Sequence, residues 1–506
     1  MAERLYTSQK TDEIFRALRY DTKLEFNVLA KMAFFLSVSQ SNDEVTSVQD
    51  FSGKEIKRSL FLGADELFIR ALLSLVYKRS EFSEEEFYSN KSFIKYHIDN
   101  GANILKELYD SNQSSLFFSK LLEYLDLTSF KNKNETLDIF IGRKLLRKEE
   151  IILELNNTTK HANSHLAIMG KPGVGKTQFL LKILTDIRTQ SNYQVNFIFF
   201  DYKGDVVDNN KFVELTRART YRLLKDNEGI PINPFILPSY DSQSVLVSAR
   251  EKAESFASIN SKLGVVQKGT LSDAIQIAYE RRQVSNPPCP DFHDVGEAVL
   301  EIYQSQNRKD DSLIEVLRDL SQFNLFWEHG NAAPPLENLS NKTMIVDVHH
   351  MPVLKELVAY LVIERLYKEM AALPDSEIRD GRRLIRTILV IDEAHNYLPQ
   401  KNIFLQRIIR EGRSKGVVVF FASQSPNDYQ QNYFNFQELL EFAFVFQCEG
   451  VSYASVQDIL GCSQKAAREL QSEIARLEPF QVIMKGTKKG DEFYKFVAES
   501  FYKNYQ

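Results

Sequence analysis

Apolar residues recur at helical spacing through the first 125 positions, then give way to short apolar runs separated by amphipathic stretches. Residues 11–20, 25–38, 67–77, 93–109 and 116–125 carry the helical pattern, with a polar stretch over 39–50. After a polar break at 131–135, residues 137–141 and 151–155 have the composition of a short β hairpin. From about residue 161 the runs 166–169, 195–200, 344–348, 388–391, 417–421, 443–446 and 480–484 read as strands. Strands alternating with helices predict a parallel sheet. One interruption stands out. Residues 241–335 carry four helical patterns (244–261, 271–281, 295–303, 313–323), with proline-rich breaks at 286–288 and 332–335, and predict a helical insertion in the sheet domain. The expected division is a helical domain over 1–125, a linker with short β segments over 126–165, an α/β domain over 166–490 and a tail over 491–506.

The chain is 506 residues long, which calls for more than one domain, and 43% hydrophobic with 26% charged residues, as in soluble globular proteins. No apolar run reaches the roughly 18 residues that a membrane span requires, and the start lacks a signal peptide's apolar core. A cytoplasmic protein with no membrane contact is expected. Three cysteines and eight histidines form no zinc-type or disulfide spacing. The net charge of −5 makes no whole-chain case for nucleic acid and excludes none, since a ring-shaped motor needs basic residues only along its channel.

The chemistry is concentrated in a few segments. Gly170, Lys171, Pro172, Gly173, Val174, Gly175, Lys176 and Thr177 fit G-x-x-x-x-G-K-[ST] between a buried strand and an amphipathic helix that begins near Gln178. The glycines let backbone N–H groups close around phosphates, and the helix N-terminus adds its positive end. Lys176 is expected on the β/γ-phosphates and Thr177 on Mg²⁺, so residues 170–178 are the expected ATP-binding segment. The strand 388–391 ends in Asp392 and Glu393. Asp392 is expected to hold Mg²⁺ through water with Thr177, and Glu393 to polarise the attacking water. Gln424, at the tip of the next strand, is the expected γ-phosphate sensor. Arg410 and Arg413 precede that strand; in a ring they would face a neighbour's nucleotide as arginine fingers, Arg413 being preferred. Asp201 ends the second strand and reads equally as a site residue or a turn residue.

Together with Ile141-Gly142-Arg143, Phe200-Asp201-Tyr202-Lys203-Gly204-Asp205, Ile232-Asn233-Pro234-Phe235, Ile391-Asp392-Glu393-Ala394-His395, Arg410-Glu411-Gly412-Arg413-Ser414-Lys415-Gly416 and Ala422-Ser423-Gln424-Ser425-Pro426, these segments resemble the HerA branch of the FtsK–HerA motor ATPases over residues 140–490. The resemblance implies an α/β, RecA-like P-loop NTPase with a mainly parallel sheet. It also implies a hexameric ring that hydrolyses ATP with Mg²⁺ and pumps double-stranded DNA. Residues 126–165 are too few for the β-barrel with which HerA proteins usually begin.

The helical segment over residues 3–125, with Thr7 to Asp12, Glu25 to Lys31, Gly53 to Leu60 and Ala71-Leu72-Leu73, resembles DndE of the DNA phosphorothioation system. That likeness implies DNA binding, with Lys54, Lys57 and Arg58 as phosphate contacts, and a place in DNA sulfur modification or antiviral defence. Yet residues 1–80 hold twelve Lys/Arg against eleven Asp/Glu, far from a strongly basic surface. Two functions are therefore weighed. One is a DNA motor serving a nuclease or Dnd-type partner; the other is a nucleotide-switched scaffold that assembles such a partner without translocation. A protein-translocating secretion ATPase shares the core, but the anchor it calls for is not seen.

Overall fold

The computed structural model describes residues 4–22, 24–40, 50–77, 79, 82–110, 136–145, 148–225, 229–237, 239–259, 263–285, 287–331, 335–336, 338–351, 354–486 and 492–505. The helix expected over 116–125 and the break at 131–135 lie outside the described residues, as do 41–49 within the polar stretch and 286 and 332–334 within the two proline-rich breaks. The chain forms two compact units, Met1–Lys133 and Asn134–Gln506.

In the first unit a short antiparallel pair, β1 (Arg4–Tyr6) and β2 (Glu55–Lys57), accompanies four main helices. These are α1 (Gln9–Thr22), α2 (Phe26–Gln40), α3 (Glu66–Tyr77) and α4 (Phe93–Asp110). Phe15, Leu29, Phe34, Ile69, Leu73, Ile98 and Leu105 fill the core between them. Helices α2 and α4 approach so closely that a Cβ at Gly101 would stand 1.8 Å from the Ala33 carbonyl oxygen; only glycine fits there. His97 is buried beside this contact, between Ser37 Oγ at 2.9 Å and Tyr77 Oη at 2.8 Å. Burial pushes its pKa down to about 3. Arg58, a phosphate contact in the DndE resemblance, is ion-paired with Glu66 and Glu84, the latter at 2.7 Å. Lys54 lies 4.5 Å from the centroid of the Phe26 ring, and Leu67, Phe68 and Leu75 leave one face of α3 apolar and exposed.

The second unit is built on one 11-stranded sheet. In chain order its strands are β3 (Asp138–Lys144), β4 (Glu150–Glu154), β5 (Leu166–Met169), β6 (Asn196–Asp201), β7 (Arg219–Arg222), β8 (Met344–Asp347), β9 (Thr387–Ile391), β10 (Val417–Ser423), β11 (Phe442–Val445), β12 (Gln481–Lys485) and β13 (Phe493–Ala498). The spatial order is β4-β3-β13-β12-β11-β5-β10-β9-β6-β8-β7. From β11 to β7 every pairing is parallel, and from β12 to β4 every pairing is antiparallel. Parallel strands buried on both faces read as continuous apolar runs, which is why residues 166–169 and 417–421 were legible.

Two segments do more than their composition announces. The hairpin β3–β4, placed by the sequence in a linker, is the edge of the main sheet. Residues 493–505, placed in a tail, form β13 between β3 and β12 and end in a short helix whose Phe501 is fully buried. Polar Tyr494 and Lys495 break the apolar alternation of β13, so its pattern is weak in the sequence.

Helix α5 (Lys176–Gln190) follows the glycine-rich loop. Between β7 and β8 stand α6 (Ser242–Ile259), α7 (Val265–Arg282), α8 (Phe292–Ser305) and α9 (Ser312–Gln322), the helical insertion. Its apolar residues are continuous with the core on one face of the sheet. Lys252 on α6 reaches Glu364, on α10 (Lys355–Ala372), at 2.8 Å, and both side chains are at most 2% exposed. Helix α11 (Ile403–Lys415) then leads into β10. Among the described residues no helix is long and apolar enough to cross a membrane.

Two outcomes follow from these buried groups. Glu364→Ala strands the Lys252 charge and should cost about 3–5 kcal/mol in denaturant unfolding, whereas a Lys252→Met/Glu364→Leu double variant should recover most of it. His97 must stay neutral in the folded unit but takes up a proton when unfolded below its ordinary value of 6.5, so its contribution is complete above that pH and is lost as pH falls toward 3. Protection of the α4 amides from hydrogen exchange should therefore fall between pH 6.5 and 4, and His97→Gln should flatten that slope.

Candidate nucleotide-hydrolysis site

Register brings the site together. Ile391 lies opposite Phe200 on one side and Phe421 on the other, and Met169 lies opposite Ser423. The loops that leave β5, β6, β9 and β10 therefore emerge side by side at the carboxyl ends of the parallel strands, where open α/β sheets bind ligands.

The loop after β5 is held from several directions. Gly170 N donates to Ser423 O at 3.2 Å, Lys171 N to Gln447 O at 2.8 Å, and Phe480 N to Val174 O at 2.9 Å. Gly175 has φ +106°, and a Cβ there would stand 2.5 Å from the Phe480 ring. The chain between α12 (Gln464–Ile474) and β12 thus props up the phosphate loop from outside. Lys176 is 5% exposed, and its Nζ donates to Gly170 O at 2.5 Å and Lys171 O at 3.0 Å. Burial lowers its pKa, against the opposing pull of Glu393 and Asp392.

Asp392 is 1% exposed, and its Oδ2 has no hydrogen-bond partner among the described residues. Burial, then the charge of Glu393, pushes its carboxyl up to about 7. An orphaned carboxylate oxygen in a buried setting is what a hard divalent cation would satisfy, so the donor set fits Mg²⁺. Glu393 adopts left-handed backbone angles, φ 47° and ψ 46°, which turn it off the strand into the site. Its carboxylate accepts from Gln424 Nε2 at 3.0 Å, faces His395 Nδ1 at 3.2 Å and forms an ion pair with Lys203. Burial alone would raise its pKa; Lys203 and Gln424 outweigh burial and hold it below the ordinary carboxylate value. Lys203 is the counterpart: burial depresses its ammonium, but Glu393 and Asp392 outweigh that and hold it above its ordinary value.

Glu393 and Gln424 are therefore in direct contact, and Lys176 senses both carboxylates. Arg410 and Arg413 sit exposed on the last turns of α11, where Arg410 Cζ lies 4.7 Å from the Phe434 ring centroid. Asp201 resolves as a turn residue. Its oxygens accept from the backbone N–H groups of Lys203 (3.1 Å), Gly204 (2.8 Å), Val206 (2.9 Å) and Val207 (2.9 Å), which shapes the loop that presents Lys203. The sequence motif assigns Lys203 no role. The available signal was a cation two residues past the end of the strand beside that of Asp392.

Residues 4–113 match the family described as DNA sulphur modification protein DndE. Residues 152–237, which span the phosphate loop, match the family described as Type IV secretion-system coupling protein DNA-binding domain. Among curated proteins the chain is similar to the DNA import protein CedB of Sulfolobus acidocaldarius, 21% identical over 329 residues. That match covers 62% of this chain and 49% of CedB, so the chain spans about half the length of its curated relative. Among solved structures it is similar to VirB4 of Thermoanaerobacter pseudethanolicus, with a TM-score of 0.55, 16% identity, and coverage of 72% of this chain and 96% of VirB4. It is also similar to the bacterial conjugative coupling protein TrwB, with a TM-score of 0.42, 13% identity, and coverage of 69% and 87%. The second unit has a RecA-like P-loop fold, and the segment before it matches the DndE family.

Gly175→Ala should force its φ from +106° and collide with Phe480, abolishing nucleotide binding much as Lys176→Ala does. Glu393→Gln should instead keep ATP binding while turnover falls about 10²-fold or more. Equilibrium binding and phosphate release, measured on all three variants, check this division.

Proposed function

We propose that the chain is an ATP-hydrolysing, ring-forming DNA motor of HerA type, working in a prokaryotic DNA phosphorothioation or anti-phage defence system. The observation that carries this reading is the convergence of Lys176, Asp392, Glu393 and Gln424 at the carboxyl ends of adjacent parallel strands. Residues 170–178 cradle the triphosphate of ATP. Glu393 accepts the proton of the attacking water; the water oxygen bonds to the γ-phosphorus as the bond to the β–γ bridging oxygen breaks, leaving ADP and phosphate. Gln424 orients that water or the γ-phosphate. Thr177, and Asp392 through water, would hold Mg²⁺, which when bound neutralises phosphate charge. Arg413, with Arg410 as second choice, completes the site of the neighbouring subunit in a hexamer. Double-stranded DNA as the substrate is supported by the match to a coupling-protein DNA-binding domain and by the likeness to a DNA import protein. The DndE match supports the phosphorothioation setting.

A specific observation favours a second reading. Arg58 is paired with Glu66 and Glu84, and α3 offers Leu67, Phe68 and Leu75 to solvent, so this helix of the first unit presents an apolar face. That surface suits a scaffold whose nucleotide state governs assembly of a nuclease or modification partner.

ATP turnover with and without double-stranded DNA separates the two, using Glu393→Gln as the background control. The motor reading expects turnover to rise several-fold with DNA. Tight ATP binding with turnover indifferent to DNA would transfer the assignment to the scaffold.

A further inference from the structure

The pairing of Lys203 with Glu393 is awkward for hydrolysis. A general base needs a lone pair directed at water, yet this buried carboxylate is paired with Lys203 and Gln424, and His395 Nδ1 stands 3.2 Å away. Lys203 is not a distant structural cation. Asp201, Asp205 and Asp392 offer carboxylate oxygens within 4.8 Å of one another around the same loop, and the Lys203 charge is felt by both Asp392 and Lys176. Asp201 has spent its oxygens on four backbone N–H groups, so it fixes the loop without neutralising Lys203. The side chain remains 40% exposed while its partner is 5% exposed. A lysine ammonium on a flexible four-carbon stem at the open side of a phosphate site can change anionic partners; a buried glutamate on a left-handed backbone turn cannot follow it.

We propose that Lys203 is a triphosphate-sensing residue that leaves Glu393 for the γ-phosphate of bound nucleotide and so releases Glu393 to act as the base. This deepens the reading of Glu393 given above and rests on it. The γ-phosphate carries more charge than a single carboxylate, and a charge-assisted hydrogen bond to it is among the stronger ones available. ADP has no γ-phosphate and leaves the ion pair closed. The empty and ADP states are then held inactive by the same contact, and only a triphosphate opens it.

The test is a two-residue cycle read as binding preference, on the full chain with Mg²⁺ present. Affinities for ADP and for a non-hydrolysable ATP analogue are measured by titration calorimetry for the wild type, Lys203→Met, Glu393→Gln and the double variant. Lys203→Met should lose triphosphate affinity by about tenfold or more while ADP affinity holds. Glu393→Gln, with no carboxylate to compete for Lys203, should strengthen the preference for the triphosphate, and the double variant should match Lys203→Met. Lys203→Arg should retain part of the preference. A Lys203→Met chain that binds both nucleotides as the wild type does, or weakens both equally, overturns the proposal. So does a Glu393→Gln chain that gains no preference. The cycle measures binding alone, so it stands whether or not turnover responds to DNA, and failure of the motor reading would show separately as DNA-indifferent hydrolysis.

Discussion

Two adjacent carboxylates are buried at the carboxyl end of β9, in the middle of the sheet, and much of the second unit is organised around making that tolerable. An isolated carboxylate loses far more on leaving water than a folded domain can spare. Asp392 answers by a raised pKa and an oxygen left available for a cation; Glu393 answers by recruiting Lys203, Gln424 and His395. Those partners come from β6, β10 and the turn after β9, so the parallel register and the chemistry are one requirement. If a strand slipped by one residue, every inward side chain at the strand ends would turn away.

The local parts of this site are written in the chain. A glycine-rich loop between a strand and a helix, and an apolar strand closing on Asp392 and Glu393, each occupy a single contiguous segment, where backbone conformation and residue type go together. The four helices of the insertion were legible for the same reason, since their apolar spacing is self-contained. The contact between Lys203 and Glu393 is different. It exists only because β6 and β9 are neighbours in space, and no spacing along the chain encodes that adjacency. Strands β7 and β13 escaped notice because arginine, tyrosine and lysine interrupt their apolar character.

Charged residues in suggestive motifs divide by what has already claimed them. Asp201 closes a turn on four N–H groups, and Arg58 is paired with two glutamates, so each is already engaged within the fold. Arg410 and Arg413 remain exposed at the end of α11 and keep theirs. Only side-chain geometry separates these cases.

Strand β3 pairs with β4 on one side and with β13 on the other, although residues 138–144 leave the ribosome long before residues 493–498. Through most of synthesis the hairpin carries an open edge, a template for mispairing with other chains. Phe480, the prop beneath Gly175, also arrives late. A nascent chain therefore holds a complete phosphate-loop sequence well before it holds a rigid phosphate loop. Maturation of the site waits on long-range closure, a slow step for a sheet of such high contact order.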